Sequence, residues 1–195
     1  MKLRRTTALH PKQKSIQSIQ RKGLLAKTQK PTQKILLPVG HFLQTIPFAC
    51  GPSALKIILD HLGNSQKIET LIKETKCSPK WPYKGTLHSG FRLALQKLGH
   101  EFIEKQNAEL KDIESALKKG QPVLVDFMDH HFYYGGHFAV IVGQDTKRFR
   151  ISNPSLKAKY EWLPKQEFYK EWVCEDTPGR RINRWMLVVL KKQTK

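Results

Sequence analysis

Apolar residues fall at helical spacing in the first half of the chain and in β-branched or aromatic runs in the second. Over residues 51–62, Ala54, Leu55, Ile58, Leu59 and Leu62 share one helical face; Pro52 suits the first turn and Gly63 a stop. Ile68, Leu71 and Ile72 repeat the pattern after Ser65. Thr86 reads as the N-cap of a helix through Leu98, which Gly99 stops, and Leu110, Ile113 and Leu117 mark a fourth helix over residues 108–119. The period then changes. Residues 122–128 (PVLVDFM), 137–143 (HFAVIVG), 147–152 (KRFRIS) and 185–190 (WMLVVL) read as strands separated by turns, with a short extended piece at 35–37. Gln144, Asp145 and Thr146 are expected to join the second and third of these runs as an antiparallel hairpin. Residues 156–176, with Tyr160, Trp162, Phe168, Tyr169 and Trp172, read as an aromatic-rich connection. Helices first and strands afterwards is the α+β pattern, a helical half packed on one antiparallel sheet.

Charge changes the picture at one end. The 195 residues include 35 Lys and Arg against 16 Asp and Glu, a formal charge of +19. Ten of the basic residues lie in residues 1–34, which contain no acid and only 9 apolar residues, whereas the other 161 residues hold 67. A segment so poor in apolar surface cannot offset its chain entropy, so residues 1–34 are expected to be a disordered basic leader and 35–195 the folded domain. The leader lacks the apolar core of a secretory signal, and Pro11 and Pro31 interrupt any long amphipathic helix, so a cytoplasmic location is expected. Its charge suits an anionic partner (nucleic acid, acidic protein or lipid surface). With no aromatic residue for bases to stack on, such binding is electrostatic and salt-sensitive. The longest uninterrupted apolar stretch, residues 185–190, is six residues, too short for a membrane span. Cys50, Cys77 and Cys174 cannot build a disulfide framework, and no C-x-x-C spacing suggests zinc. His130 and His131 have no acidic residue at a convincing spacing, so no metal or other cofactor is expected.

Four residues could carry chemistry. Cys50 stands just before the first predicted helix, where unpaired backbone N–H groups and the positive end of the macrodipole favour a thiolate; its pKa is expected to be depressed. A lone cysteine is more often a structural one, so this residue needs a partner. His137 opens an otherwise apolar strand after Gly135 and Gly136, and an imidazole is the natural proton acceptor for a thiol. Asn153 ends the strand that the hairpin pairs with the one starting at His137. It returns toward the histidine, where its amide oxygen could fix the tautomer, although Asn-Pro also simply favours a turn. Gln44 could donate its amide to an oxyanion together with the backbone N–H of Cys50. Gly51 is expected to leave the backbone uncrowded for a substrate carbonyl, and Gly135 and Gly136 to keep one side of His137 open.

In order and spacing this set resembles the bacteriocin-processing, double-glycine-leader cysteine peptidases, which are papain-like in fold. The family's Gln, five residues and Cys-Gly stand here as Gln44 to Cys50-Gly51, and its His followed sixteen residues later by an acid before Pro stands as His137 and Asn153-Pro154. Lys84-Gly85-Thr86 and the aromatic stretch at 167–172 are similar to later family segments, so the likeness covers about residues 40–190. The resemblance implies a cysteine-type peptidase acting on a peptide or protein substrate through an acyl-enzyme at Cys50, in a narrow cleft suited to small residues such as Gly-Gly. The family usually has Asp where this chain has Asn153, which can orient the histidine but cannot stabilise an imidazolium by charge. Its best-known members are fused to a membrane transporter, and this chain is expected to be a stand-alone member. Two other readings remain open at this point: an acyltransferase or deamidase using the same dyad, and a non-catalytic binding domain with a basic docking arm.

Overall fold

The computed structural model describes residues 34–80, 84–128, 136–177 and 179–191. The leader ahead of Lys34 lies outside the described residues, as do His130, His131 and Gly135. The helical half consists of α1 (Cys50–His61), α2 (Ile68–Glu74) and α3 (His88–Lys97), preceded by a two-residue strand, β1 (Ile35–Leu36). Then come β2 (Phe102–Lys105), α4 (Leu110–Lys118), β3 (Val123–Phe127), β4 (His137–Gln144), β5 (Arg148–Ser152) and β6 (Glu161–Pro164). The chain continues through α5 (Lys165–Glu171), β7 (Val173–Thr177), β8 (Arg180–Asn183) and β9 (Met186–Val189).

Seven strands form one antiparallel sheet in the order β2-β9-β3-β4-β5-β6, with β1 added on β4; β7 and β8 pair separately. All eight residues of β4 are buried, and both α1 and α4 pack on it, so neither face of this strand meets solvent. That burial explains why HFAVIVG is a continuous apolar run rather than an alternating one. Near its end, a Cβ on Gly143 would lie 2.6 Å from the Ile35 carbonyl oxygen, so the close approach of β1 to β4 requires glycine there. Below the helices, Phe91, Phe138 and Trp185 form an aromatic cluster in which the His88 ring stacks on Trp185 at 4.3 Å.

Three expectations are corrected. Strand β2 stands where none was expected: FIEK pairs with β9, and its alternating exposure, with Ile103 54% exposed, marks it as a sheet edge. Residues 156–176 are not a connection but hold β6, α5 and most of β7. Thr86 does not cap α3. The helix begins at His88 behind an extended Leu87 with no side-chain cap, because Thr86 is packed against Gly51 at the start of α1.

Candidate active site

Cys50 is the first residue of α1, and Ala49 at the N-cap offers no side chain to the helix's unpaired amides. The backbone amides of Gly51 and of Phe138, the second residue of β4, hydrogen-bond toward the Cys50 sulfur and favour its thiolate. The sulfur therefore sits at the N-terminal end of β4, one residue from His137. Desolvation outweighs the amides. Burial, with a smaller contribution from the Asp126 carboxylate and from Cys77, pushes the Cys50 thiol up to about 12. The expectation of a depressed pKa is thus corrected: the helix N-terminus acts in the direction expected, but loss of water is the larger effect, and the resting group is a neutral thiol.

That shift has a consequence for stability. The folded protein holds the Cys50 proton to higher pH than the ordinary thiol near 9.0, so the stabilisation is complete below that pH and lost as pH rises toward about 12. Between those limits each pH unit removes up to about 1.4 kcal/mol. Denaturant melts from pH 8 to 11 should show Cys50→Ala losing stability less steeply than the parent protein. Equal slopes would contradict a proton held by burial.

The β4–β5 hairpin, with Val140 opposite Ser152, carries Asn153 back alongside the start of β4. There the buried His137 ring meets it, Nε2 to Asn153 Oδ1 at 2.8 Å. The amide orientation follows from its other bonds: Asn153 Oδ1 accepts the Ser155 N–H at 3.0 Å and Nδ2 donates to Glu161 Oε1 at 3.0 Å. His137 Nε2 must then carry the proton, which makes Nδ1 the basic nitrogen. The Phe127 ring on β3 packs edge-on against the imidazole, with ring centroids 6.2 Å apart.

Gln44 belongs to the segment joining β1 to α1. Its backbone N–H donates to Pro154 O at 2.8 Å, tying it to the turn that holds Asn153. Its side-chain Nε2 donates to Pro47 O at 3.4 Å, a long bond, and Oε1 is buried with no hydrogen-bond partner among the described residues. His41 fastens the same segment to the same turn: it accepts from the Ser152 hydroxyl at 3.0 Å and donates to Leu156 O at 3.1 Å, and burial lowers its pKa. The Tyr160 hydroxyl donates to Val39 O beside it.

The glycines serve packing. A Cβ at Gly51 would lie 2.8 Å from Thr86 and 3.1 Å from Phe91, and one at Gly136 would lie 2.0 Å from Asp126 Oδ1. Both positions face the interior, so close packing replaces substrate access as the reason for glycine at Gly51 and Gly136. Gly135 lies outside the described residues.

Sequence reasoning passed over a buried group beside this site. His88 Nε2 donates to Asp126 Oδ2 at 2.8 Å, Cys174 Sγ lies 3.9 Å from the same nitrogen, and all three residues are buried. Their donor atoms lie within 4.8 Å of one another, the spacing of a metal-type donor set, here held together by the shared histidine N–H. The signal was present in the sequence: Asp126 is the single charge in PVLVDFM.

Helices packed on an antiparallel sheet, with a cysteine opening the first helix and a histidine–asparagine pair across a strand hairpin, make this an α+β fold. The model of the peptidase C39-like family matches residues 36–175, and the chain belongs to that family. A comparison with curated proteins finds no match. Among solved structures, the chain is similar to a C39-like peptidase from Bacillus anthracis, with 16% identity and a TM-score of 0.65, covering 83% of this chain and 100% of that one. It is also similar to the peptidase domain of Streptococcus ComA, a bifunctional ABC transporter of a quorum-sensing pathway, with 19% identity, a TM-score of 0.62, and 79% and 99% covered. A third is a double-glycine-motif protease from an AMS/PCAT transporter in complex with its leader peptide, with 18% identity, a TM-score of 0.59, and 83% and 98% covered. At these identities the structures establish the shared fold. No helix among the described residues is long and apolar enough to cross a membrane.

Proposed function

We propose that the protein is a cysteine peptidase in which Cys50 is the nucleophile, His137 the general base and acid, Asn153 the orienting group and Gln44 an oxyanion donor. The observation that supports it best is the His137–Asn153 hydrogen bond, which leaves a basic Nδ1 at the end of β4 where the Cys50 sulfur meets the Phe138 amide. Because the resting thiol is neutral, charge develops only as the reaction proceeds. Nδ1 takes the thiol proton while the sulfur attacks the peptide carbonyl and a C–S bond forms. The Cys50 backbone N–H and the Gln44 amide stabilise the oxyanion. The imidazolium then gives its proton to the leaving amine as the C–N bond breaks. Water, deprotonated by His137, next hydrolyses the thioester and restores the thiol. A peptide with small residues, Gly-Gly among them, before the cleaved bond is the substrate class that the family resemblance supports.

The test is labelling of the native protein with a peptide aldehyde ending in Gly-Gly and with iodoacetamide, the modified residue being found by mass spectrometry. Modification at Cys50 that depends on His137, together with new amino termini in a Gly-Gly peptide, is the expected result. Ammonia release from a glutamine peptide without cleavage would favour a deamidase, and no reaction at Cys50 would favour a binding domain.

The basic leader is proposed to dock the domain on an anionic partner. Deleting residues 1–34 should leave Cys50 labelling unchanged and weaken retention on a polyanion, so that the truncated protein elutes at lower salt; retention of the full chain surviving about 1 M salt would count against an electrostatic arm.

A further inference from the structure

Asn153 carries no charge, yet the imidazolium formed at His137 needs an anion behind it. We propose that Glu161 supplies that anion through the Asn153 amide, as a positioning residue that raises the basicity of His137; this rests on the peptidase reading above. The contacts run in one line. His137 Nε2–H donates to Asn153 Oδ1 at 2.8 Å, and Asn153 Nδ2–H donates to Glu161 Oε1 at 3.0 Å. Each bond sets the direction of the next, because a carboxylate can only accept, so the amide must offer Nδ2 to it and present Oδ1 to the ring. The carboxylate thus excludes the flipped amide, which would turn N–H toward N–H at the histidine. It also places a negative charge one amide length from the imidazole. Polarisation along such a chain strengthens both bonds when the ring becomes charged.

The fold holds Glu161 where it can do this. The residue opens β6 and pairs with Ile151 on β5, two residues before Asn153. Its neighbour Tyr160 is fastened through its hydroxyl to Val39 O and lies under the cationic groups of Arg150 and Lys159. Titratable groups near the ring among the described residues include Cys50 from α1 and Asp126 from β3, whose next residue Phe127 is the cross-strand partner of His137. His41 faces the turn through Ser152. Glu161 differs from them in reaching the imidazole through the amide that orients it.

The charge and the hydrogen bond are separable by exchange. Glu161→Gln keeps an acceptor for the amide and removes the charge. Asn153→Asp combined with Glu161→Gln moves the charge to position 153 and the amide to 161, leaving the donor count of the pair unchanged. The probe is the second-order rate of iodoacetamide modification at Cys50 against pH, with the His137 ring titration followed separately by NMR. The parent protein should show a rate that rises as His137 deprotonates, lost in His137→Ala. Glu161→Gln should lower the plateau about three- to fivefold and move the His137 midpoint down by about half a pH unit, the scale of one half-screened charge at this separation. The double variant should recover both values, with melting temperatures unchanged throughout. A Glu161→Gln protein with the parent rate and midpoint, or a double variant that recovers neither, would overturn the proposal. A parent protein whose Cys50 rate ignores His137 would overturn the peptidase reading itself, a different and separately visible failure.

Discussion

Replacing His137 by alanine is expected to lower peptide hydrolysis about 10^3- to 10^4-fold, the usual contribution of a positioned base and acid to a thiol or hydroxyl nucleophile. The expected loss is near the upper end because burial pushes the Cys50 thiol up to about 12, so little of it is thiolate at neutral pH without a base to take its proton. Cys50→Ala should be at least as damaging, since it removes the acyl-enzyme altogether. The fold should survive His137→Ala. Asn153 Oδ1 still accepts the Ser155 N–H at 3.0 Å and its Nδ2 still reaches Glu161, so the turn keeps its bonds and the change leaves a ring-sized cavity. That cavity offers a control. Added imidazole should restore part of the lost rate in His137→Ala and none in Cys50→Ala. Kinetics on a Gly-Gly peptide, with circular dichroism to confirm folding, check this. An alanine variant within tenfold of the parent would remove His137 from the mechanism.

Much of the arrangement was legible because it depends on arithmetic along the chain. A strand starting at His137, a tight turn at 144–146 and a strand ending at Asn153 can pair only so as to bring the two residues to one end of the sheet, and the observed register does so. Strands β3, β4 and β9 were readable because burial on both faces demands continuous apolar runs. Strands β2 and β6 were not. Each has four residues at or near a sheet edge, where FIEK and EWLP need bury only part of their surface and so carry little pattern. The Cys50 ionisation was misjudged for a different reason. Local backbone geometry can be read from a helix start, but desolvation depends on what β3, β4 and Cys77 place around the sulfur. The same holds for Glu161: after the six turn and loop residues that follow the Asn-Pro step, nothing in the local sequence indicates that its carboxylate returns to the Asn153 amide.

Asp126→Ala is expected to destabilise the domain by about 2–4 kcal/mol, from the lost buried hydrogen bond to His88 together with the cavity the carboxylate leaves. Domains of this kind are stable by about 5–15 kcal/mol in all, so the variant should be the most fragile single substitution in the sheet. Asp126, the fourth of the five residues of β3, is 3% exposed, its Oδ2 receives the His88 Nε2–H at 2.8 Å, and its carboxylate fills the space against the backbone of Gly136. Alanine would remove the carboxylate acceptor from the histidine, which lies between Trp185 and Phe138, and open a cavity directly behind the residue preceding His137. Asp126→Asn separates charge from shape. It keeps an oxygen for His88 and fills the same space, so its cost should be about 1–2 kcal/mol. Because the Asp126 charge is one of the causes raising the Cys50 thiol, Asn at this position should also move the alkaline limb of Cys50 alkylation to lower pH. Denaturant titration of both variants, read beside their alkylation profiles, tests the two effects together. An alanine variant within about 1 kcal/mol of the parent would mean that the His88–Asp126 pair is not what holds the Gly136 backbone against β3.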